Sequence, residues 1–333
     1  MRIGLAFDLK TSVIGYDTVE DSLEEYDSPE TVDIIERTLA GAGYDVLRLG
    51  GGEEFLDAVR REKVSIVFNI AEGRGNYRSR EAQVPSILEM LGIPYTGSDP
   101  LTLSVCLDKP VTKALIAAEN IATPAWFVLQ GIDDITRARW NKFSFPVILK
   151  PAFEGSSKGI RLTSLAHDIA QAKQEAERIM SDYHQPVMVE EFINGDEVTV
   201  GIIGNHPPCF AGIMRIVPRK KTENFVYSLE VKRDYLNQVD YECPAQLPNE
   251  VLKKIEQASL ASFRILGCRD VTRIDFRLDK SGTPYFIEAN PLPGLGTYSD
   301  LIIMANLQGR THESVILSIL KAALERYSLC LTK

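Results

Sequence analysis

The sequence predicts a mixed α/β (α+β) chain, with an open parallel α/β domain at the N-terminus followed by smaller α+β units. Three observations predict it. Strand-like apolar runs alternate with helix signatures through the first hundred residues, the character changes near Asp99–Pro110, and the strands lengthen after residue 186. A length of 333 residues fits two or three domains, and these changes place them at 1–98, 99–185 and 186–333.

The first domain opens with the buried-strand run RIGLAFDL (2–9) and a helix signature from 28 to 44. Ser28 suits an N-cap, Pro29 the first helical position, and Val32, Ile35 and Leu39 share one face. YDVLRL (44–49), the helix at 53–62, VSIVFNI (64–70) and a helix over 80–92 continue the alternation, which implies a parallel sheet covered by helices. Two short helical pieces then lead to the strands PAWFVL (124–129) and FPVILKP (145–151). A glycine-serine loop, a strand GIRLT (159–163) and an amphipathic helix over 164–180, capped by Ser164, complete the second unit. In the third, long strands over 186–217 precede a polar stretch, roughly 217–242, of the length usual for lids. That stretch holds Arg219, Lys220, Lys221, Lys232 and Arg233; the helix 248–266, a hairpin over 270–290 and two C-terminal helices follow it.

Composition narrows the function. With 44% hydrophobic and 25% charged residues the chain is globular, and its apolar runs fall short of the roughly 20 residues that span a bilayer. The N-terminus runs directly into a strand without a leader pattern, so a cytoplasmic location is expected. The net charge of −9 argues against a nucleic-acid surface while leaving room for a local basic pocket. Cys106, Cys209, Cys243, Cys268 and Cys330 form no CxxC pair and suggest reduced, mostly buried thiols; four scattered histidines give no zinc-ligand spacing.

The hairpin carries the sharpest chemical signal. A register symmetric about Lys280–Thr283 sets Asp275 opposite Glu288 and Arg273 opposite Asn290, all on one face, with Ile274, Phe276, Ile287 and Ala289 on the other. Carboxylates so placed repel unless they share a proton or a cation, and an all-oxygen set suits magnesium. The competing reading is a solvated face on which Arg273 and Arg277 neutralise the acids. The loop KPAFEGSSKG (150–159) can present backbone N–H groups and hydroxyls to phosphates, but it lacks the Walker pattern. Its GxSxG string lacks the strand–turn–helix context of a hydrolase elbow. In VMVEEFINGDEVTV (187–200), Glu190, Glu191 and Glu197 flank a turn and can serve either an adenine and its ribose or a polar hinge.

In order and spacing these segments resemble the D-alanine–D-alanine ligase family of ATP-grasp enzymes. The matching stretches are 92–113, 145–160, 190–200, YECPA (241–245), 266–278 and IEANPLPGLGTYSDL (287–301). The resemblance implies a two-part ATP-grasp fold behind the N-terminal domain, with ATP and Mg²⁺ (two ions, Mn²⁺ an alternative) held between two sheets. It implies small amino acid or peptide substrates, no nucleic-acid or membrane partner, and a homodimer as in many members.

By the same resemblance, Lys109 and Lys150 contact phosphates, Ser156 and Ser157 belong to the phosphate loop, and Glu190, Glu191 and Ile193 form the adenine hinge. Glu197 matches the ribose ligand, and Asp275, Glu288 and Asn290 the magnesium ligands. Arg273 and the Gly294 backbone match an oxyanion-stabilising pair, and Ser299 a contact to the second substrate's carboxylate. Two departures stand out. In 71–83 Glu72 occupies the place of a family histidine, and the mobile loop reads Lys232–Arg233 where the family has lysine followed by tyrosine. That tyrosine normally closes the site with a serine, here Ser156, and a glutamate that maps to Glu24. The expected reaction is carboxylate activation through an acyl phosphate, followed by attack of an amine. The alternatives are a related ligase with different substrates and a non-catalytic nucleotide-binding regulator.

Overall fold

The computed structural model describes residues 1–10, 19–220 and 222–329, so the expectations for Lys221 and Cys330 lie outside the described residues. Strands β1 (Arg2–Ala6), β2 (Asp45–Gly50) and β3 (Ile66–Asn69) form a parallel sheet in the order β2-β1-β3. Helix α1 (Pro29–Gly41) starts as its sequence dictates: the Ser28 hydroxyl accepts the Thr31 N–H, and Val32, Ile35 and Leu39 are buried. Helix α2 (Gly52–Arg61) connects β2 to β3. The single helix expected over 80–92 is a 3₁₀ turn (Arg80–Ala82) running into α3 (Gln83–Leu91). The turn directs the Arg80 side chain inward, where it is buried. Gly73 allows this approach, since its φ is +81° and a Cβ there would lie 2.0 Å from the Arg80 carbonyl oxygen.

Asp99 and Asp108 cap two successive helices, α4 (Pro100–Leu107) and α5 (Lys109–Ala118). A second sheet is antiparallel, with β4 (Trp126–Leu129), β5 (Val147–Pro151), β6 (Leu165–Ala166) and β7 (Val187–Glu191) in the order β4-β7-β5-β6. Helix α6 (Ile132–Arg137) follows β4, and α7 (Ile169–Tyr183) packs Ala172, Ala176 and Ile179 on this sheet. Strand β7 lies beyond residue 186 and is nonetheless hydrogen-bonded between β4 and β5.

Two local expectations fail here. GIRLT is no strand: a 3₁₀ turn (Leu162–Ser164) takes its end, closed by the Ser164 hydroxyl accepting the Arg161 N–H. Helix α7 is capped instead by Asp168, whose carboxylate accepts the Gln171 N–H. Asp168 sits at the correct offset from the first turn, while Ser164 is drawn away to Glu175.

The third sheet, wholly antiparallel, has β8 (Glu197–Ile203), β9 (Cys209–Pro218), β10 (Val239–Glu242), β11 (Val271–Leu278) and β12 (Pro284–Asn290) in the order β10-β9-β8-β11-β12. The polar stretch before β10 is ordered into α8 (Leu229–Arg233) and α9 (Tyr235–Gln238). Helix α10 (Asn249–Ile265) shares a core with α4, α5 and this sheet. Helices α11 (Asp300–Leu307) and α12 (His312–Arg326) return to the first sheet, where Ile302, Ile316 and Ile319 join Ile3, Leu5 and Val32. No described helix is long and apolar enough to cross a membrane. Of the four described cysteines, all free, Cys106 and Cys268 are buried, while Cys209 at the edge of β9 is exposed.

Candidate active site

A cleft of about 720 Å³ lies between the second and third sheets. Ile148, Ile160, Val226, Phe276 and Ile287 give it apolar walls, and Lys150, Glu191, Glu197 and Lys232 line it with charge. Lys150, on β5, donates to Glu190 on β7 at 2.9 Å, and Lys113 on α5 reaches the other Glu190 oxygen at 2.6 Å. Burial raises the Glu190 carboxyl, but the two ammonium groups outweigh it and hold it below its usual range. Lys113 is fully buried and was not singled out from the sequence; its signal is a lysine four residues after Lys109, on the inward face of α5. Glu190 is thus the anchor of Lys150, while Glu191, Ile193 and Glu197 line the cleft. Glu197 pairs with Arg277 at 2.8 Å, and Arg277 lies over Phe192.

At the inner end of the cleft the hairpin register is as expected, with Asp275 opposite Glu288 and Arg273 opposite Asn290. Beyond Asp275 the register shifts, and the extra residue on β12 turns Ile287 into the cleft; only Ile274, Phe276 and Ala289 enter the core. Arg273 lies 2.9 Å from Asp275 and 3.5 Å from Asp300, and Lys109 lies 3.6 Å from Glu288. Arg277 does not neutralise this pair, being committed to Glu197. Burial raises the Glu288 carboxyl, but Lys109 and Arg273 overcome it and hold it at about 2. Asp275 is pushed up by burial, with the Glu288 charge adding to it against Arg273. Asn290 stands 3.3 Å from Asp275 and 3.5 Å from Glu288. Three oxygen-bearing side chains therefore converge at the cleft, a donor set that fits Mg²⁺; rotating the Asn290 amide presents its oxygen to the same point. Among the described residues no three or more acids, histidines or cysteines gather as a metal-holding group, so the Asn290 amide is needed to complete this set.

The glycine-serine loop covers the junction. Ser157 lines the cleft, while Ser156 lines a second pocket of about 610 Å³ together with Arg273, Gly294 and Ser299. Both serines have positive φ, which turns consecutive residues toward the two cavities. The loop is latched by a segment that sequence reasoning left mostly unread. Asp21 accepts the Gly159 N–H at 3.0 Å, and Glu25 accepts the Gly155 N–H at 2.5 Å. Glu25 also chelates Arg80 at 2.7 Å, and Arg80 reaches Glu154 at 3.0 Å. Desolvation raises the Glu25 carboxyl, but Arg80 and Lys158 hold it below its usual range. Glu24, by contrast, pairs with Arg233 on α8 at 3.0 Å, and Arg233 also contacts Glu20. The glutamate beside the loop is thus Glu25. Lys232 stacks over Tyr227, whose hydroxyl meets that of Tyr241 at 2.6 Å. Glu72 lies in the wall of the second pocket, which Ser156 and Gly294 also line.

The architecture is shared with known proteins. The family model described as "D-ala D-ala ligase C-terminus" matches residues 115–321. The chain belongs to the D-alanine–D-alanine ligase family. A relative named D-alanine–D-alanine ligase, from Geotalea uraniireducens, is 31% identical over 316 residues, covering 95% of this chain and 97% of that protein. An uncharacterized protein of Sinorhizobium fredii is 33% identical over 306 residues, covering 89% and 88% of the two chains. Among solved structures, the D-alanine–D-alanine ligase of Bacillus anthracis complexed with ATP superposes with a TM-score of 0.76 at 23% identity, covering 98% of this chain and 99% of that one. The VanG D-Ala:D-Ser ligase of Enterococcus faecalis gives a TM-score of 0.74 at 19% identity, covering 97% and 99%. These likenesses fix the ATP-grasp fold for the family member described here.

Proposed function

We infer that the protein is an ATP-dependent carboxylate–amine ligase. One observation carries the reading: Lys150 from one sheet and Asp275 and Glu288 from the facing sheet line a cleft, while Arg273 and Asn290 of the same hairpin line, with Ser156, a separate polar pocket beside it. A nucleotide in the cleft and small organic acids and amines in the pocket would meet at Arg273. In the first step a substrate carboxylate oxygen attacks the γ-phosphorus of ATP, and ADP leaves with the electron pair of the broken P–O bond. The amine of the second substrate then attacks the acyl carbon, loses a proton, and inorganic phosphate departs.

Lys109, Lys150 and Lys232 offset charge on the transferring phosphoryl group. Mg²⁺ held by Asp275, Glu288 and Asn290 would supply Lewis acidity toward phosphate oxygens. Arg273 and the Gly294 N–H are suited to the tetrahedral oxyanion, a stabilisation of about 3–4 kcal/mol per donor in other enzymes. Glu191, Ile193 and Glu197 are suited to the adenine and ribose, and Ser299 to a carboxylate. Glu24 and Arg233, paired across α8, are suited to closing the site rather than to touching substrate. Closure of the glycine-serine loop with α8 would exclude water that otherwise hydrolyses the acyl phosphate. Relatives bear the name D-alanine–D-alanine ligase, so D-alanine is the first amino acid to test. ADP release stimulated by an amino acid, with an amide of the expected mass, is the supporting result; ATP hydrolysis indifferent to every acid and amine contradicts it.

A further inference from the structure

The pocket beside Arg273 holds more acidic side chains than two neutral-side-chain amino acids require. Glu25 and Glu24 are consumed by Arg80 and Arg233. Asp27, Glu72 and Glu81 also line the pocket, and none forms an ion pair or side-chain hydrogen bond with a described residue. Glu81 is the decisive one: it is only 8% exposed, lines the pocket, and its neighbouring cations are already engaged. Arg80 is held by Glu25 and Glu154, and Lys109 donates to the Glu154 carbonyl and faces Glu288. A buried carboxyl without a partner keeps its proton until a cation arriving with a ligand takes its place.

The charge requirement of the reaction can be counted. The α-ammonium of the first substrate satisfies one carboxylate. The amine of the second enters as an ammonium and gives up its proton, which occupies one more. The third is left free to exchange its proton for a further cation. Taking the ligase reading as given, we propose that one of the two substrates is an amino acid with a cationic side chain, a diamino acid, whose second ammonium is bound by Glu81, in the wall that Glu72 shares. Glu72, in the place where the resemblance puts a histidine, converts that wall from a neutral to an acidic one.

The test measures ADP formation with Mg·ATP, pairing each of lysine, ornithine and 2,4-diaminobutyrate, in both enantiomers, with its neutral isostere such as norleucine or norvaline. Alanine is included as acceptor or donor throughout. The expected result is a KM at least tenfold lower for a diamino acid than for its isostere. Glu81→Gln and, separately, Glu72→Gln should raise that KM at least tenfold while the KM for ATP stays unchanged. Equal KM values for the cationic and neutral members, or no KM change in both variants, overturn the inference and leave the ligase reading standing. No amino-acid-dependent ADP with any member overturns the ligase reading, and this inference with it.

Discussion

The nucleotide cleft and the adjoining pocket handle buried charge in opposite ways. In the cleft, Glu190 is clamped by two lysines, Glu197 by Arg277, and Asp275 and Glu288 by Arg273 and Lys109. In the pocket, Asp27, Glu72 and Glu81 have no such counterions. A cleft whose acids are balanced is built to order lysines and a metal around an anionic nucleotide. A wall whose acids are unbalanced is built for a ligand that brings positive charge. Under the proposed function the difference suits the two cavities to two kinds of ligand.

The sharpest way to break the cleft side of this contrast is Asp275→Asn, which removes one oxygen donor's charge and the partner of Arg273. ADP formation should fall by about two orders of magnitude or more, with circular dichroism unchanged; turnover near the unsubstituted rate would contradict the metal assignment. Next in size is Lys113→Met. It leaves Glu190 buried with Lys150 alone, and denaturant unfolding should report a loss of about 3 kcal/mol, although Lys113 is not among the residues lining the cleft.

The pocket should behave oppositely. Glu81→Gln removes an unpaired charge, so the melting temperature of the ligand-free protein at pH 8 should hold or rise. The same contrast has a pH signature. Desolvation in the pocket wall raises both Asp27 and Glu81 to about 8, from ordinary values near 4. Between those limits the folded chain holds protons that the unfolded chain has released, so this contribution to stability is present at low pH and lost as pH rises toward 8. The ligand-free protein should therefore melt higher at pH 6 than at pH 8, and Glu81→Gln with Asp27→Asn should flatten that slope. The smallest effect belongs to Arg233→Ala. Its pairs with Glu20 and Glu24 are partly exposed, so stability should change by less than about 1 kcal/mol.

Much of the cleft was legible because its residues are local in sequence. A single hairpin sets Arg273, Asp275, Glu288 and Asn290 on one face, and period-two alternation is enough to place them. The same rule misplaced Ile287, since one bulged residue reverses facing and leaves no mark in the alternation. Helix starts such as Ser28 were read correctly, whereas Ser164 lost its capping role to Asp168 once Glu175 claimed its hydroxyl. The latch of Asp21, Glu25, Arg80 and Glu154 was not legible at all. It joins three segments far apart in the chain, and nothing in their local pattern says that they meet. For the same reason the Glu25 contact to the loop went unread beside Glu24, which pairs with Arg233.

Transfer of the γ-phosphoryl group to a substrate carboxylate is tested most directly by isotope. An amino acid substrate labelled with ¹⁸O in its carboxylate is incubated with the enzyme and Mg·ATP, and the inorganic phosphate is analysed by mass. One labelled oxygen per phosphate is expected, because the oxygen that attacked phosphorus leaves with it. Phosphate free of label, with amide formed, would contradict the acyl-phosphate mechanism.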